Sequence, residues 1–267
     1  MTRPSHLPDY GNPPLHEVVL GVQFATPAGY SQIRAGEVWS LYREDYPEVE
    51  EHPMLPASFE TFGPRNRGIQ PQLEFIQGAS HDRFWFLSPD RTELIQFQNN
   101  RLLHNWREIP GTDITYPRFD YMIGRFESEI RKFSSYAKEL SGQDININQC
   151  EVTYINNINT SEDLPNFSDW LNMIDFKQDP EDLLVRSRRP IYNEEGAPIG
   201  RLSCEVGTAV TPTLDPIIAY HLTVRGAPSE PTIEGALHFL YEGRELIVTT
   251  FTETTTAAAH RQWERKR

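Results

Sequence analysis

Lysine is nearly missing from this chain. Only Lys132, Lys138, Lys177 and Lys266 occur, so 21 arginines carry the remaining positive charge. Arginine forms bidentate, weakly hydrated contacts and suits interfaces, although a skewed base composition of the coding DNA produces the same bias. Cysteine is equally sparse. Cys150 and Cys204 sit far apart in apolar strand candidates, which reads as two small buried hydrophobes. A disulfide is not expected in a reducing compartment, and two cysteines without histidine at ligand spacing do not make a zinc site.

Long hydrophobic runs are missing as well. No window approaches the ~18 apolar residues of a membrane-spanning helix. The opening "MTRPSHLPDYGNPPL" lacks the apolar core of a secretion signal. With a mean hydropathy of −0.56, the expectation is a cytoplasmic protein with no membrane contact. The net charge of −13 works against direct nucleic-acid binding.

Catalytic signatures are also lacking. There is no glycine-rich phosphate loop, no G-x-S-x-G, no H-E-x-x-H and no C-x-x-C. No catalytic residue, metal ligand or cofactor is therefore assigned.

What the chain does contain is a plan stated twice. "EVVLGVQF" (Glu17 to Phe24) and "EVTYINNI" (Glu151 to Ile158) each open a half. Each half passes through a variable segment into paired strand candidates and closes on a long amphipathic helix. The predicted helices span about Pro117–Leu140 and Thr232–Phe251. The expected fold class is α+β, with two pseudo-repeated lobes at residues 1–142 and 143–267. Each lobe would be an antiparallel sheet covered by a long helix, like TATA-binding-protein-like or helix-grip halves. No flexible linker separates them, so the lobes are expected side by side, with one continuous sheet as an option.

Local patterns fill in this plan. Val18, Leu20, Val22 and Phe24 alternate on one face of the first strand. Ser31 is a candidate N-cap for a helix stopped by Tyr46-Pro47. The acidic stretch at residues 48–66 reads as irregular. Strands are predicted at Leu73–Gln77, Arg83–Leu87, Thr92–Gln98 and Arg101–Trp106, with Asn99-Asn100 as a tight turn because Asn tolerates positive φ. In the first long helix Phe119, Met122, Ile123, Phe126, Ile130, Phe133, Ala137 and Leu140 form the apolar stripe. Arg125, Glu127, Glu129, Arg131 and Lys132 are assigned to its wet faces. "LPNFSDWLNMIDF" reads as a short helix, and strands follow at Gly200–Val210 and Pro216–Arg225. Ile233, Ala236, Leu237, Leu240, Ile247 and Phe251 stripe the last helix, whose end "VTTFTETTT" has poor helix propensity. The tail "RQWERKR" is expected to fray.

Candidate binding residues come from two strands. "NRLLHNWRE" brings Arg101, Asn105, Trp106 and Arg107 together, and Trp and Arg are enriched in binding hot spots. Alternation puts Leu103 and Asn105 on one face, and Leu102, His104 and Trp106 on the other. "TYINNI" sets Tyr154 and Asn156 in an apolar strand, where a buried Asn needs partners and is expected to bridge the halves through backbone. His104 and His221 read as structural. Acidic clusters at Glu44-Asp45, Glu48 and Glu50-Glu51, at Asp179 with Glu181-Asp182, and at Glu194-Glu195 read as solvated loop surface.

The segments "NPPLHEVVLGVQF", "LIQFQNNRLLHNWRE" and "EVTYINNI" resemble a sporadically distributed bacterial family of uncharacterised proteins of similar length. The matching positions are Asn12-Pro13-Pro14, Glu17, Gln96, Gln98, Asn105-Trp106-Arg107, Tyr154 and Asn156. The resemblance carries no activity with it. Its patchy distribution implies mobile or defence-linked gene neighbourhoods.

These readings lead to a non-enzymatic binding or regulatory subunit. It would act through a protein partner, an effector or its own copy, as a sensor or accessory in an anti-mobile-element system. A metal-dependent hydrolase or nuclease with a non-standard carboxylate site is one alternative. A small-molecule pocket between helix and sheet, lined by Tyr154, Trp106 and His221, is the other.

Overall fold

The computed structural model describes residues 6–62, 82–160, 163–178, 180–211 and 213–267. Among them, nine strands form one antiparallel sheet. They are β1 (Leu15–Phe24), β2 (Glu48–His52), β3 (Arg83–Leu87), β4 (Glu93–Gln98), β5 (Arg101–Arg107), β6 (Ile147–Asn159), β7 (Leu184–Tyr192), β8 (Pro198–Val210) and β9 (Pro216–Gly226). Their spatial order is β2-β3-β4-β5-β1-β6-β9-β8-β7. The sheet therefore runs unbroken through the β1–β6 pair, where Val18 faces Tyr154 and Leu20 faces Val152.

Two long helices, α2 (Phe119–Ser141) and α4 (Ile233–Thr254), lie on one face. Period-two alternation explains why that face is apolar. Val18, Leu20, Val22 and Phe24 of β1, Leu102 and Trp106 of β5, and Val152 and Ile158 of β6 are all buried beneath them. The α2 stripe is buried from Phe119 through Ala137, and Gly142 ends the helix in the left-handed conformation that its sequence predicts. The two helices run antiparallel, because Phe119 packs on Tyr241 while Arg131 pairs with Glu234. Packing overrides propensity at the end of α4, which stays helical through Thr254.

Several expectations need correcting. The Ser31 segment forms only a turn of 3-10 helix and a short α1 (Ala35–Ser40), and the Ser31 side chain makes no capping bond. The described part of the 48–66 excursion, which ends at residue 62, begins as strand β2 and then crosses the second sheet face. There Leu55 N donates to Gln98, Ser58 N donates to Gln23, and Arg201 donates to Glu60 at 2.7 Å. Asn99-Asn100 does form the tight turn between the paired Gln98 and Arg101, but neither Asn takes positive φ, whereas Arg91, in the turn before β4, does (62°). The "LPNFSDWLNMIDF" helix is only α3 (Phe167–Trp170), and β7 was not foreseen. The tail does not fray: α5 (Ala257–Gln262) buries Trp263, and Tyr10 bridges Arg265. The predicted strand Leu73–Gln77 lies outside the described residues. Among the described residues, no helix is long and apolar enough to cross a membrane.

Candidate functional site

The six predicted binding residues do not meet. Sheet alternation sends Trp106, Tyr154 and Asn156 to the helix-covered face, and Arg101, Asn105 and Arg107 to the other. On that second face the polar groups are consumed by one another. Asn105 (1% exposed) donates to Glu17 at 2.5 Å and accepts from Gln96 at 3.1 Å. Gln96 in turn accepts from Arg83 at 2.8 Å and from Trp85 at 3.1 Å. Arg107 lies over the Trp85 ring and donates to the Arg91 carbonyl. Arg101 donates to Gln23 and to the Pro56 carbonyl, holding the crossing segment. Such a satisfied ladder fixes structure and leaves few free valences for a ligand.

The helix face is different. A cavity of about 340 Å³ opens between the sheet and the long helices. The central strands supply Leu15, Tyr154, Asn156 and Leu222; α4 supplies Arg244, Ile247, Val248 and Phe251. Tyr116, Arg118 and Phe119 border it at the start of α2, and Asp9 and Tyr10 close it from the N-terminal arm. Two of the predicted residues, Tyr154 and Asn156, therefore line it. Trp106 stands behind Tyr116, with ring centroids 5.2 Å apart. His221 points to the opposite face, since its neighbour Leu222 faces the cavity. Asn156 donates to the Tyr220 carbonyl at 3.0 Å, so it binds β9 within its own half instead of bridging the halves.

The polar fittings of the cavity are few and placed. The hydroxyls of Tyr116 and Tyr154 are 3.3 Å apart. Burial, reinforced by Tyr154, pushes the Tyr116 phenol well above its ordinary pKa, so it stays protonated. Arg118 donates to the Tyr10 carbonyl at 3.3 Å and pairs with Asp9 at 3.4 Å. Its backbone sits at φ 80°, ψ 154°, a region almost restricted to glycine, and strained residues of this kind cluster at ligand sites.

Arg244 is the outlying feature. It is 3% exposed, lines the cavity, and makes no hydrogen bond or ion pair among the described residues. Its guanidinium lies 5.1 Å from the Phe119 ring centroid. A cation–π contact is worth about 0.5–2 kcal/mol, less than the several kcal/mol that a buried unpaired ion costs. The sequence does carry this signal. Leu240, Arg244, Ile247 and Phe251 step by helical spacing, so a charge interrupts an otherwise apolar stripe. That interruption went unread, as did Tyr10, Tyr116 and Arg118, whose segments have no periodicity.

A second buried ion lies under α2. Glu129, assigned to a wet face by its sequence, is 4% exposed. It accepts from Tyr46 at 2.6 Å, its backbone carbonyl accepts from Tyr42 at 2.9 Å, and His104 Nδ1 lies 3.0 Å from Oε2 but off the hydrogen-bond line. Burial, followed by the Glu129 charge, raises the pKa of Tyr46 and Tyr42 strongly. None of these groups lines the cavity.

Some members of the acidic clusters are drawn into local pairs, and Asp179 lies outside the described residues. Glu48 and Glu50 bind Arg91, and Asp182 accepts from Thr208. Among the described residues, no group of three or more His, Cys, Asp or Glu is placed to hold a metal ion. Cys150 and Cys204 are free and buried, and burial raises both thiol pKa values. No protein-family model matches the chain, and a search of curated proteins finds no significant match.

Proposed function

We propose that this chain is a non-enzymatic binding protein that takes a small molecule into the cavity beneath α2 and α4. The observation that carries this is a buried, unpartnered Arg244 beside about 340 Å³ of space. Proteins rarely keep a bare buried charge unless something completes it. Strain at Arg118 and the Tyr116 hydroxyl, kept protonated by burial, support the same reading. Filling the cavity with Ile247→Trp tests it. Ligand that co-purifies with the wild-type chain in native mass spectrometry is expected to vanish in the variant. A wild-type chain that carries and binds no small molecule sinks the reading.

A second reading, action through a protein partner as a regulatory subunit, is favoured by β7. It is an edge strand of the sheet, with Leu184 67% and Tyr192 58% exposed and Arg186 and Arg188 between them. Among the described residues no further strand pairs with it, and such an edge can accept one, although its arginines and Pro190 limit indiscriminate pairing. A pull-down from the native host that returns no stoichiometric partner counts against it. The sensor role in an anti-mobile-element system would join the two readings, with the cavity as input and the edge as output.

The two-lobe plan belongs here as well. Duplication is supported by the mirrored strand order, in which β1 and β6 pair at the centre. Moreover, β5 and β9, the strands preceding α2 and α4, flank them. Superposition of residues 1–142 on 143–267 that fails to align these strands and helices rejects the plan.

A further inference from the structure

We infer that the ligand is a small monocarboxylate with an apolar body. Its carboxylate sits on Arg244, and its body lies against Leu15, Leu222, Ile247 and Phe251. This rests on the reading of the cavity as a ligand site and names what the site selects.

The argument starts from charge. The lining sets three guanidiniums, Arg118, Arg244 and Arg267, against two side-chain carboxylates, Asp9 and Asp120, and Arg118 is already engaged by Asp9 and the Tyr10 carbonyl. Arg244, whose buried Nε has no hydrogen-bond partner, is thus a cation with no ion-pair partner among the described residues. A single negative charge completes it. A phosphate would bring close to two and meet repulsion from Asp9 and Asp120. A neutral ligand would leave the guanidinium bare.

Geometry agrees. The guanidinium is a planar fork whose spacing matches the two oxygens of a carboxylate. Tyr116 lines the same cavity as Arg244, and its hydroxyl, kept protonated by burial, can donate to a bound group. Apart from Asn156 and Arg267, the remaining wall is aliphatic and aromatic, and an apolar body exchanges water for it favourably. The volume falls at the small end of ligand pockets, which run from about 300 to 1,000 Å³. That size suits a compact acid.

The test is an equilibrium titration of the full chain with octanoate, 1-octanol and octyl phosphate at neutral pH. A charge-assisted hydrogen bond pair in a buried site is worth about tenfold or more in affinity. Octanoate is therefore expected to bind at least about tenfold tighter than octanol, and tighter than octyl phosphate. Arg244→Met is expected to bring octanoate down to the level of octanol while octanol changes by less than about twofold. Ile247→Trp is expected to abolish binding of both. Octanoate and octanol binding equally overturns the carboxylate assignment and leaves the cavity reading standing. Tighter octyl phosphate overturns it in favour of a phosphate. Binding that survives Ile247→Trp, or no binding of any probe, overturns both. The wild-type comparison of three probes needs no variant, so misfolding of Arg244→Met does not shelter the inference.

Discussion

Glu129 and Arg244 are both ions buried beneath the long helices, one on each. Glu129 on α2 is closed in by Tyr46, Tyr42 and His104. Arg244 on α4 has an aromatic ring and a cavity. The first charge ties the turn that follows α1 to α2, with His104 of β5 against it. The second holds nothing among the described residues, so its retention asks for a different explanation. The difference teaches that burial of a charge is not by itself a sign of function. Burial without a partner, next to space, is the stronger sign.

The contrast breaks most readily at Glu129. Glu129→Leu leaves the Tyr46 hydroxyl and the His104 ring without the group they face. Removing one member of a buried polar set costs about 3–5 kcal/mol, read as a lower denaturation midpoint in urea. A loss under about 1 kcal/mol would place Glu129 in the same class as Arg244. Arg244→Met should move the other way. Replacing an uncompensated buried ion by an apolar chain of similar length is expected to raise stability without ligand by about 1 kcal/mol or more. Destabilisation of similar size would mean that Arg244 has a structural partner, and the comparison would collapse.

The sequence made the layers legible and the site only half so. The alternation of β6 and the unbroken stripe of α2 are dictated by burial on a single face, so they survive into the structure nearly residue for residue, whereas β1, central in the sheet, is buried on both faces from Val18 to Phe24. Tyr154 and Asn156 were found because they interrupt or end such a pattern. Grouping them with Arg101, Asn105 and Arg107 failed for a geometric reason: neighbours along a strand point to opposite faces. Glu129 was misassigned because a glutamate at a helix flank looks wet until Tyr46 and His104 arrive from distant segments. The same non-locality hid Tyr10 and Arg118. The tail was misread because its pairing with the N-terminal arm, Lys266 N to the Asp9 carbonyl at 2.8 Å, spans the whole chain.

The helices also differ in how closely they approach the sheet, and two glycines measure this. A Cβ on Gly124 of α2 would meet nothing within 4 Å, whereas one on Gly243 of α4 would come 3.1 Å from Val224 and 3.3 Å from Val152. Gly124→Ala is therefore expected to stabilise by about 1 kcal/mol from helix propensity alone. Gly243→Ala should fall short of that gain, because α4 must lift from β6 and β9. Thermal unfolding of the two variants side by side decides it. Equal gains would mean that α4 is not seated as tightly as its glycine implies, and the walls of the cavity would be softer than drawn.

Acid offers the gentlest probe, because it acts on the Arg244 side of the molecule. His260 lies beneath the N-terminal arm, its ring 5.6 Å from Tyr10, with Nε2 2.8 Å from Thr255 Oγ1 and Nδ1 3.1 Å from Arg265. Burial first, and the Arg265 charge second, lower its pKa in the folded chain. The unfolded chain therefore binds this proton more readily, at the ordinary histidine value of about 6.5. In the window below that value, the unfolded state carries the extra proton, so stability rises with pH and is lost as pH falls. Burial lowers the pKa of His221 in the same direction, and the lowered carboxylates of Glu37, Glu50, Asp90 and Glu234 add to the acid end of the slope, so His260 is one contributor among several. His260→Asn is expected to flatten the slope of unfolding free energy between neutral and mildly acidic pH without abolishing it. A slope identical to wild type would show that the pocket beneath the arm tolerates a second cation, and that the missing counter-charge at Arg244 is no measure of how this region treats positive charge.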